Sequence, residues 1–427
     1  MELGGGIDSL RSMPTPRDQR ELDIVLFGAT GFVGKLTAEH LAAYAPAGVR
    51  IGLAGRNTAK LEDVRTSLGP SASDWPLISA DSSDDASLAA LAERTRVVIT
   101  TVGPYARYGL PLVKACAEAG TDYVDLTGEV LFVRESIDLY HAAAVASGAR
   151  IVHSCGFDSV PSDLAVLTLA ERVAADAAGE LTDTTLFVTM KGGASGGTLD
   201  SMKGQIDEVR SDKAKRAVAV DKFALSPDRS AEPQGEWRDS VSVRYAPEVK
   251  AWTGPFVMST FNTRIVRRSN ALRGHDYGSA FRYREVQKTG AGLAGRATAY
   301  ALAGGLAAAF GALSLSPLRP LVNRALPKAG EGPSAEARAK GFFKVDARTT
   351  TTDGRAYRSV VAAQGDPGYA ATCVMLGEAA LALATQREQC PLPDGLTGGV
   401  LTPATALGDV YAARLRDRGF TVQAERV

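Results

Sequence analysis

The chain has 427 residues, enough for two hydrophobic cores, and Lys plus Arg equals Asp plus Glu at 48 each. That balance excludes a strongly basic nucleic-acid binder and gives no ground for a strongly acidic partner. Four scattered cysteines without metal spacing, and four histidines without an H-x-x-x-H pair, argue for a reducing cytoplasm and against a zinc site.

Residues 1–21 read as a flexible tail without the apolar stretch of a signal peptide. The run Asp23-Ile24-Val25-Leu26-Phe27 then predicts a strand that feeds into Gly28-Ala29-Thr30-Gly31-Phe32-Val33-Gly34, and a helix follows from Lys35. A strand, a glycine turn and a helix N-terminus form a site for a dinucleotide diphosphate, because unpaired helix amides and aligned peptide dipoles favour negative charge. Gly28 lets the chain turn, Gly31 removes a side chain where the diphosphate approaches, and Gly34 allows close helix–strand packing. Thr30, Phe32 and Val33 belong to the same expected cradle.

The second strand, Val49 to Ala54, ends in Gly55-Arg56-Asn57. A carboxylate at this place would bind the ribose 2′-hydroxyl of NAD, whereas a guanidinium matches a 2′-phosphate, so Arg56 points to NADPH. A third strand ends at Asp81, within reach of the adenine. A fourth, Val97 to Val102, runs into Gly103-Pro104-Tyr105. Further strands are expected at Tyr123–Leu126 and Arg150–His153, with helices at Leu88–Arg94, Leu110–Ala119 and Val133–Ser147. The alternation predicts an α/β fold, a Rossmann-type doubly wound parallel sheet over residues 22–160.

From 161 to 375 the pattern becomes that of an α+β domain with an antiparallel sheet. Thr184–Met190 reads as a strand, residues 192–198 as a glycine turn, and Leu199 to about Lys215 as a helix. Residues 220–257 read as loop-rich. Residues 342–350 and 356–362 alternate on either side of Asp353-Gly354, a hairpin signal. The Ala- and Gly-rich segment 290–318, uncharged from Ala297 to Ser316, reads as a helical hairpin, buried or partner-facing, as an interfacial lipid contact, or as a span. A helix over Ala370–Thr385 leads back, and residues 376–427 are expected to pack on the nucleotide domain, with 398–418 as a loop and helix.

Ligands of open α/β sheets bind beyond the carboxyl ends of the strands, which selects three loops: 103–109, 125–129 and 154–163. Tyr105 and Tyr108 are either proton donors or rings packed over the turn, and Arg107 is a potential anion clamp. Asp158 either orients a donor or binds the nicotinamide amide, or else this stretch serves as a cap, with Ser159, Ser162 and Asp163 capping the following helix, whose early position holds Pro161. Asp125 and Glu129 are a further carboxylate pair. Lys191 is either a phosphate contact on the substrate or a solvated strand end. Seven cations, Arg264, Arg267, Arg268, Arg273, Arg282, Arg284 and Lys288, occur with only Asp276 and Glu285 among them, as a docking patch for an acidic carrier or an anionic headgroup, or as a solvated face.

Gly-Ala-Thr-Gly-Phe-Val-Gly at 28–34, Leu-Ala-Gly-Arg at 53–56, Val-Gly-Pro-Tyr at 102–105, Asp-Leu-Thr-Gly-Glu at 125–129, Cys-Gly-Phe-Asp-Ser-Val-Pro-Ser-Asp at 155–163 and Gly-Val-Leu-Thr-Pro-Ala at 399–404 together resemble the saccharopine dehydrogenase-like oxidoreductases. More narrowly, residues 22 to about 420 resemble the mycobacterial trans-acting enoyl reductases. That resemblance implies an NADPH-dependent, stand-alone reductase. It would saturate a double bond on a polyketide chain carried by a separate synthase or acyl carrier domain, on the route to phthiocerol dimycocerosates and related envelope lipids. It further implies a nucleotide domain built from both chain ends around an inserted α+β domain. The expected setting is cytoplasmic, with peripheral contact at the inner face of the plasma membrane and a homodimer as further options and no nucleic-acid partner. Two other readings stay open: oxidoreduction of a C=N or C=O bond in a small substrate, and a lipid-associated nucleotide sensor without catalysis.

Overall fold

The computed structural model describes residues 15–192, 196–232, 242–314 and 332–427. Short apolar runs form six strands in the first part of the chain: β1 (Leu22–Phe27), β2 (Ile51–Gly55), β3 (Leu77–Ser79), β4 (Thr95–Thr100), β5 (Asp122–Val124) and β6 (Arg150–Val152). Between them run α1 (Phe32–Tyr44), α2 (Thr58–Ser67), α3 (Asp85–Glu93), α4 (Tyr105–Tyr108), α5 (Leu110–Ala119) and α6 (Val130–Ser147). After α7 (Val160–Ala175) come β7 (Leu181–Lys191), α8 (Gly196–Ser211), α9 (Lys213–Val220), β8 (Arg244–Ala246), β9 (Ala251–Pro255), α10 (Ser259–Leu272) and β10 (Arg282–Gly290). The remainder is α11 (Gly292–Ser314), α12 (Ala335–Ala339), β11 (Phe342–Thr351), β12 (Ala356–Gln364), α13 (Thr372–Thr385), β13 (Gly399–Leu401), α14 (Pro403–Asp417) and β14 (Thr421–Arg426).

The first sheet is parallel throughout, in the order β13-β6-β5-β4-β1-β2-β3. Every residue of β1 is buried, as a strand covered on both faces requires. The second sheet runs β14-β12-β11-β7-β10-β9-β8 and is antiparallel apart from the parallel pair β7–β10. Its β11–β12 hairpin closes at the expected Asp353-Gly354 turn, with Gly354 at φ 84°. Helix α7 packs across β11, β12 and β14, and the core it helps to fill is continuous from Leu26 and Ile99 of the first sheet to Val188 and Val345 of the second.

Several elements differ from expectation. Residues 398–418 are not only loop and helix: Gly399–Leu401 pairs with Arg150–Val152 as the seventh parallel strand, too short to carry a periodic signal. The final strand, Thr421–Arg426, pairs with β12, so the last segment closes both sheets rather than resting on the nucleotide domain alone. The loop-rich stretch 220–257 contains β8 and β9, while 233–241 lies outside the described residues, as do 193–195 of the expected glycine turn. Residues 15–21 are not a free tail. Arg17 pairs with Asp122 at 2.8 Å, and Arg20 donates to the Thr95 carbonyl and to Thr121 Oγ1; residues 1–14 lie outside the description.

The segment expected as a hairpin is a single helix, α11, as far as Ser314, with 315–318 outside the described residues. It packs one narrow stripe on β9, where Gly254 admits the Ala299 backbone: a Cβ there would lie 3.2 Å from the Ala299 carbonyl. Among the described residues one helix, Pro367–Thr385, is long and apolar enough to cross a bilayer, but 72% of it is buried against the first sheet and its helices, as a core helix is.

The basic run of α10 is turned inward. Arg264 donates to the carbonyls of Asp221 and Ala219, Arg267 to those of Lys222 and Tyr283, and Arg268 to those of Leu225 and Val400. All three are buried, so they cannot form a docking patch. Burial, and then the charge of Arg134, lowers the Arg268 pKa to about 9. Arg268 ties α10 to β13 and thereby the second half of the chain to the first sheet. Replacing it with Ala leaves two buried carbonyls unpaired, at about 1–3 kcal/mol each. We expect Arg268→Ala to lower the stability measured by urea unfolding by about 3 kcal/mol.

Candidate active site

The glycine turn has the geometry its spacing implies. Gly28 sits at φ 91°, in the left-handed region, and a Cβ there would lie 2.7 Å from Thr101 Oγ1. Gly34 comes so close to the turn that a Cβ would collide with the Gly28 carbonyl oxygen. Gly31 is the N-cap of α1 and supplies no capping side chain, so the amides of Phe32, Val33 and Gly34 open the helix without intrahelical partners. Such a cradle fits a diphosphate. Thr30 is half-buried in the same turn. The Phe32 ring meets Tyr369 edge-on at 5.0 Å and lies under the Arg338 guanidinium at 5.4 Å, so the second half of the chain braces the turn.

Arg56 and Asp81 follow β2 and β3 on the same carboxyl edge, on the side away from β4. Arg56 is exposed. The Asp81 carboxylate accepts from the Ser83 amide at 2.9 Å and from its hydroxyl at 2.8 Å. The Ser83 amide and hydroxyl, and then the Arg56 charge, hold Asp81 below the usual carboxylate range. Its side chain thus shapes its own loop and sits beside Arg56.

A cavity of about 520 Å³ opens on the other side of the turn. Its floor is Gly31–Gly34, Thr101 and Gly103-Pro104-Tyr105; Leu126, Gly128 and Asp158 form one wall. The opposite wall comes from α8, from Val257 to Arg264 around the start of α10, and from Phe310 of α11. The sequence flags Arg264 and the 290–318 segment but not α8, and only the packing of α8 and α10 over the strand ends brings them into one wall.

The structure separates the expected catalytic groups. Tyr105 is buried, donates its hydroxyl to the Thr100 carbonyl at 3.1 Å and stacks on Phe132 at 5.7 Å. Burial raises its pKa well above the usual value, then the nearby carboxylates Asp125, Glu129 and Asp158 raise it further. With its hydroxyl engaged by the Thr100 carbonyl, Tyr105 braces the loop. Arg107 is exposed and lies over the Tyr108 ring at 5.1 Å, outside the cavity wall, so it clamps no anion there. Lys191 ends β7 exposed to solvent and is absent from the cavity wall, so it takes no part there and reads as a solvated strand end.

Asp125 and Glu129 are not a reacting pair either. Asp125 is fully buried and accepts from Tyr123 Oη, Thr127 N and Ser154 N, with His153 Nδ1 at 2.7 Å. Ser136 Oγ lies 2.8 Å from His153 Nε2, giving a Ser–His–Asp array. All three residues are sealed from solvent and none lines the cavity, so the array holds strand ends together. Glu129 accepts from the amides of Tyr105 and Ala106 and from Ser201 Oγ, which caps α4. The expected capping of α7 takes another form. Ser159 makes no side-chain cap there, and Asp163 instead accepts from the Ala404 amide at 2.8 Å, in the first turn of α14. Cys155 is buried and burial raises its thiol pKa, against a nucleophilic role.

Comparison with known proteins agrees with this geometry. Residues 24–152 match the saccharopine dehydrogenase NADP binding domain. A candidate trans-acting enoyl reductase of Mycobacterium tuberculosis is 52% identical over 418 residues, covering 96% of this chain and 98% of the relative. The chain belongs to the saccharopine dehydrogenase-like oxidoreductases. A trans-acting enoyl reductase of Mycobacterium ulcerans is 48% identical over 420 residues, covering 96% and 99%. Apo saccharopine dehydrogenase (L-Glu forming) of Saccharomyces cerevisiae shares the fold, with a TM-score of 0.55 at 13% identity over 95% of this chain and 99% of that one. The protein is thus an NADP-dependent oxidoreductase, and the glycine turn and α1 lie within the matched nucleotide-binding domain. We expect Arg56→Ala to weaken NADPH binding about 10- to 100-fold, the worth of a charge-assisted phosphate contact, and to leave NADH binding unchanged, as read by fluorescence titration.

Proposed function

We propose that this oxidoreductase saturates the carbon–carbon double bond of an enoyl thioester carried by an acyl carrier domain or polyketide synthase, in the synthesis of envelope lipids such as phthiocerol dimycocerosates. The carrying observation is the cavity: one space runs from the glycine turn to a wall of Met202, Ile206, Val209, Met258 and Phe261, as an acyl chain requires. The names of the curated relatives support the same reaction. NADPH, when bound, supplies the hydride. The protein's part is to hold the diphosphate at α1, to keep side chains away from the ring at Gly103, and to exclude water with the α8–α10 wall.

A multiply charged amino-acid substrate fits this wall poorly. Arg264 is engaged by backbone carbonyls, and Arg210 lines the cavity as an exposed residue. Its position suits the phosphodiester of a carrier-bound pantetheine arm. Leu293, Tyr300 and Phe310, exposed along α11, favour delivery on that side, by the carrier itself or from a lipid surface.

Enoyl thioesters of graded length, on a carrier and as free short thioesters, test the reading through consumption of reduced cofactor. We expect turnover with both, and Val209→Trp to exclude long chains while sparing short ones. We expect Arg210→Ala to raise KM about ten-fold for the carrier-bound form alone, the worth of one charged hydrogen bond. Turnover of imines or ketones in place of enoyl thioesters would overturn it.

A further inference from the structure

Asp158 differs from every other acid around the cavity. Its neighbours in the loop after β6 are pinned. Gly156 lies flat between Leu126 and Thr372, each 3.2 Å from where a Cβ would be. The Phe157 amide donates to Thr372 Oγ1 at 3.0 Å, and the Phe157 ring meets Phe343 at 5.0 Å. Ser159 Oγ lies 3.2 Å from Asn262 Oδ1. Between these anchors Asp158 projects into the cavity, its Oδ2 over Gly128 at 3.6 Å from the missing Cβ, with Met258 beside it. Among the described residues its carboxyl has no hydrogen-bond partner.

The surrounding groups are committed elsewhere. Glu129 is occupied by two amides and Ser201, Asp200 pairs with Lys203 at 3.2 Å, and the Tyr105 hydroxyl faces the Thr100 carbonyl. Arg264 is held by carbonyls, Arg210 lies at the exposed rim, and Glu285 is buried against Asn262 and Tyr283. An acid held by rigid neighbours, facing apolar surface and left without a partner is a cost to the fold that a reaction explains.

We propose that Asp158 is the acid that protonates the substrate α-carbon. This rests on the enoyl-reductase reading. As the C=C π bond opens, hydride from NADPH forms the new C–H bond at the β-carbon, and the electron pair left at the α-carbon takes the carboxyl proton. NADPH leaves as NADP, and the Asp158 carboxylate regains a proton from solvent through the cavity mouth. The acid form is available because burial pushes the Asp158 pKa up to about 7, with no neighbouring charge to hold the anion. Since the folded-state value is raised and the protonated form is the active one, the rate falls as pH rises through about 7.

The test compares the full-length protein with Asp158→Asn and Asp158→Glu. We expect Asp158→Asn to lose about 10²- to 10³-fold in kcat on a short enoyl thioester, with NADPH affinity unchanged and the fall in rate near pH 7 abolished, and Asp158→Glu to recover part of the loss. Without substrate, the difference infrared spectrum of wild type against Asp158→Asn should show a protonated carboxyl band that titrates near 7. Wild-type kcat in Asp158→Asn, or a band that titrates in the ordinary carboxylate range, overturns the assignment. Absence of cofactor consumption in wild type as well as variant would instead mark failure of the enoyl reading beneath it.

Discussion

The close approach of Gly34 to the carbonyl of Gly28 is the constraint on which the site depends. With no Cβ at either position, α1 starts directly over the end of β1, and its first amides have no intrahelical partner and no capping side chain from Gly31. Those amides offer a place for a diphosphate on a line along the carboxyl edge of the parallel sheet. Arg56 falls at one end of that line and the cavity at the other. Phe32, clasped by Tyr369 and Arg338, makes the turn part of the second half of the chain as well.

Around this site most polar side chains do structural work. A strand-end loop exposes several backbone amides, and each needs a partner once helices cover it. Asp125 accepts from two amides and a tyrosine, Glu129 caps α4, and Asp163 bridges Ser269 and the start of α14. Their burial and their spacing looked like chemistry, but their lone pairs are spent on the scaffold. The same holds for the Ser136–His153–Asp125 array, whose geometry copies a hydrolase while its sealed position denies it a substrate. What distinguishes Asp158 is the opposite state, a carboxyl facing open space between two anchored neighbours.

The arginines of α10 carry a related lesson. A run of like charges in a neutral chain reads naturally as surface, because burying a cation is expensive. Here the guanidinium groups exchange water for backbone carbonyls, as a planar five-donor group can. They become rivets between α10, the 219–225 segment and β13. The apolar cavity wall is the converse case: Ile206 and Val209 belong to a helix whose sequence looks ordinary and whose importance lies in what it covers.

The amino-acid sequence by itself determined the parallel sheet, the β11–β12 hairpin and the glycine turn. Each rests on local physics: contiguous apolar runs, an Asp-Gly turn, and glycines where backbones must meet. It also determined the family, through short motifs that lie at strand ends. The tertiary structure alone decided that Gly399–Leu401 joins a strand about 250 residues away, that α8 and α10 close the cavity, and that Tyr105 braces while Asp158 faces in. The physical reason is that residue type and spacing report which bonds a side chain can make, whereas its role depends on which partners the fold brings within reach.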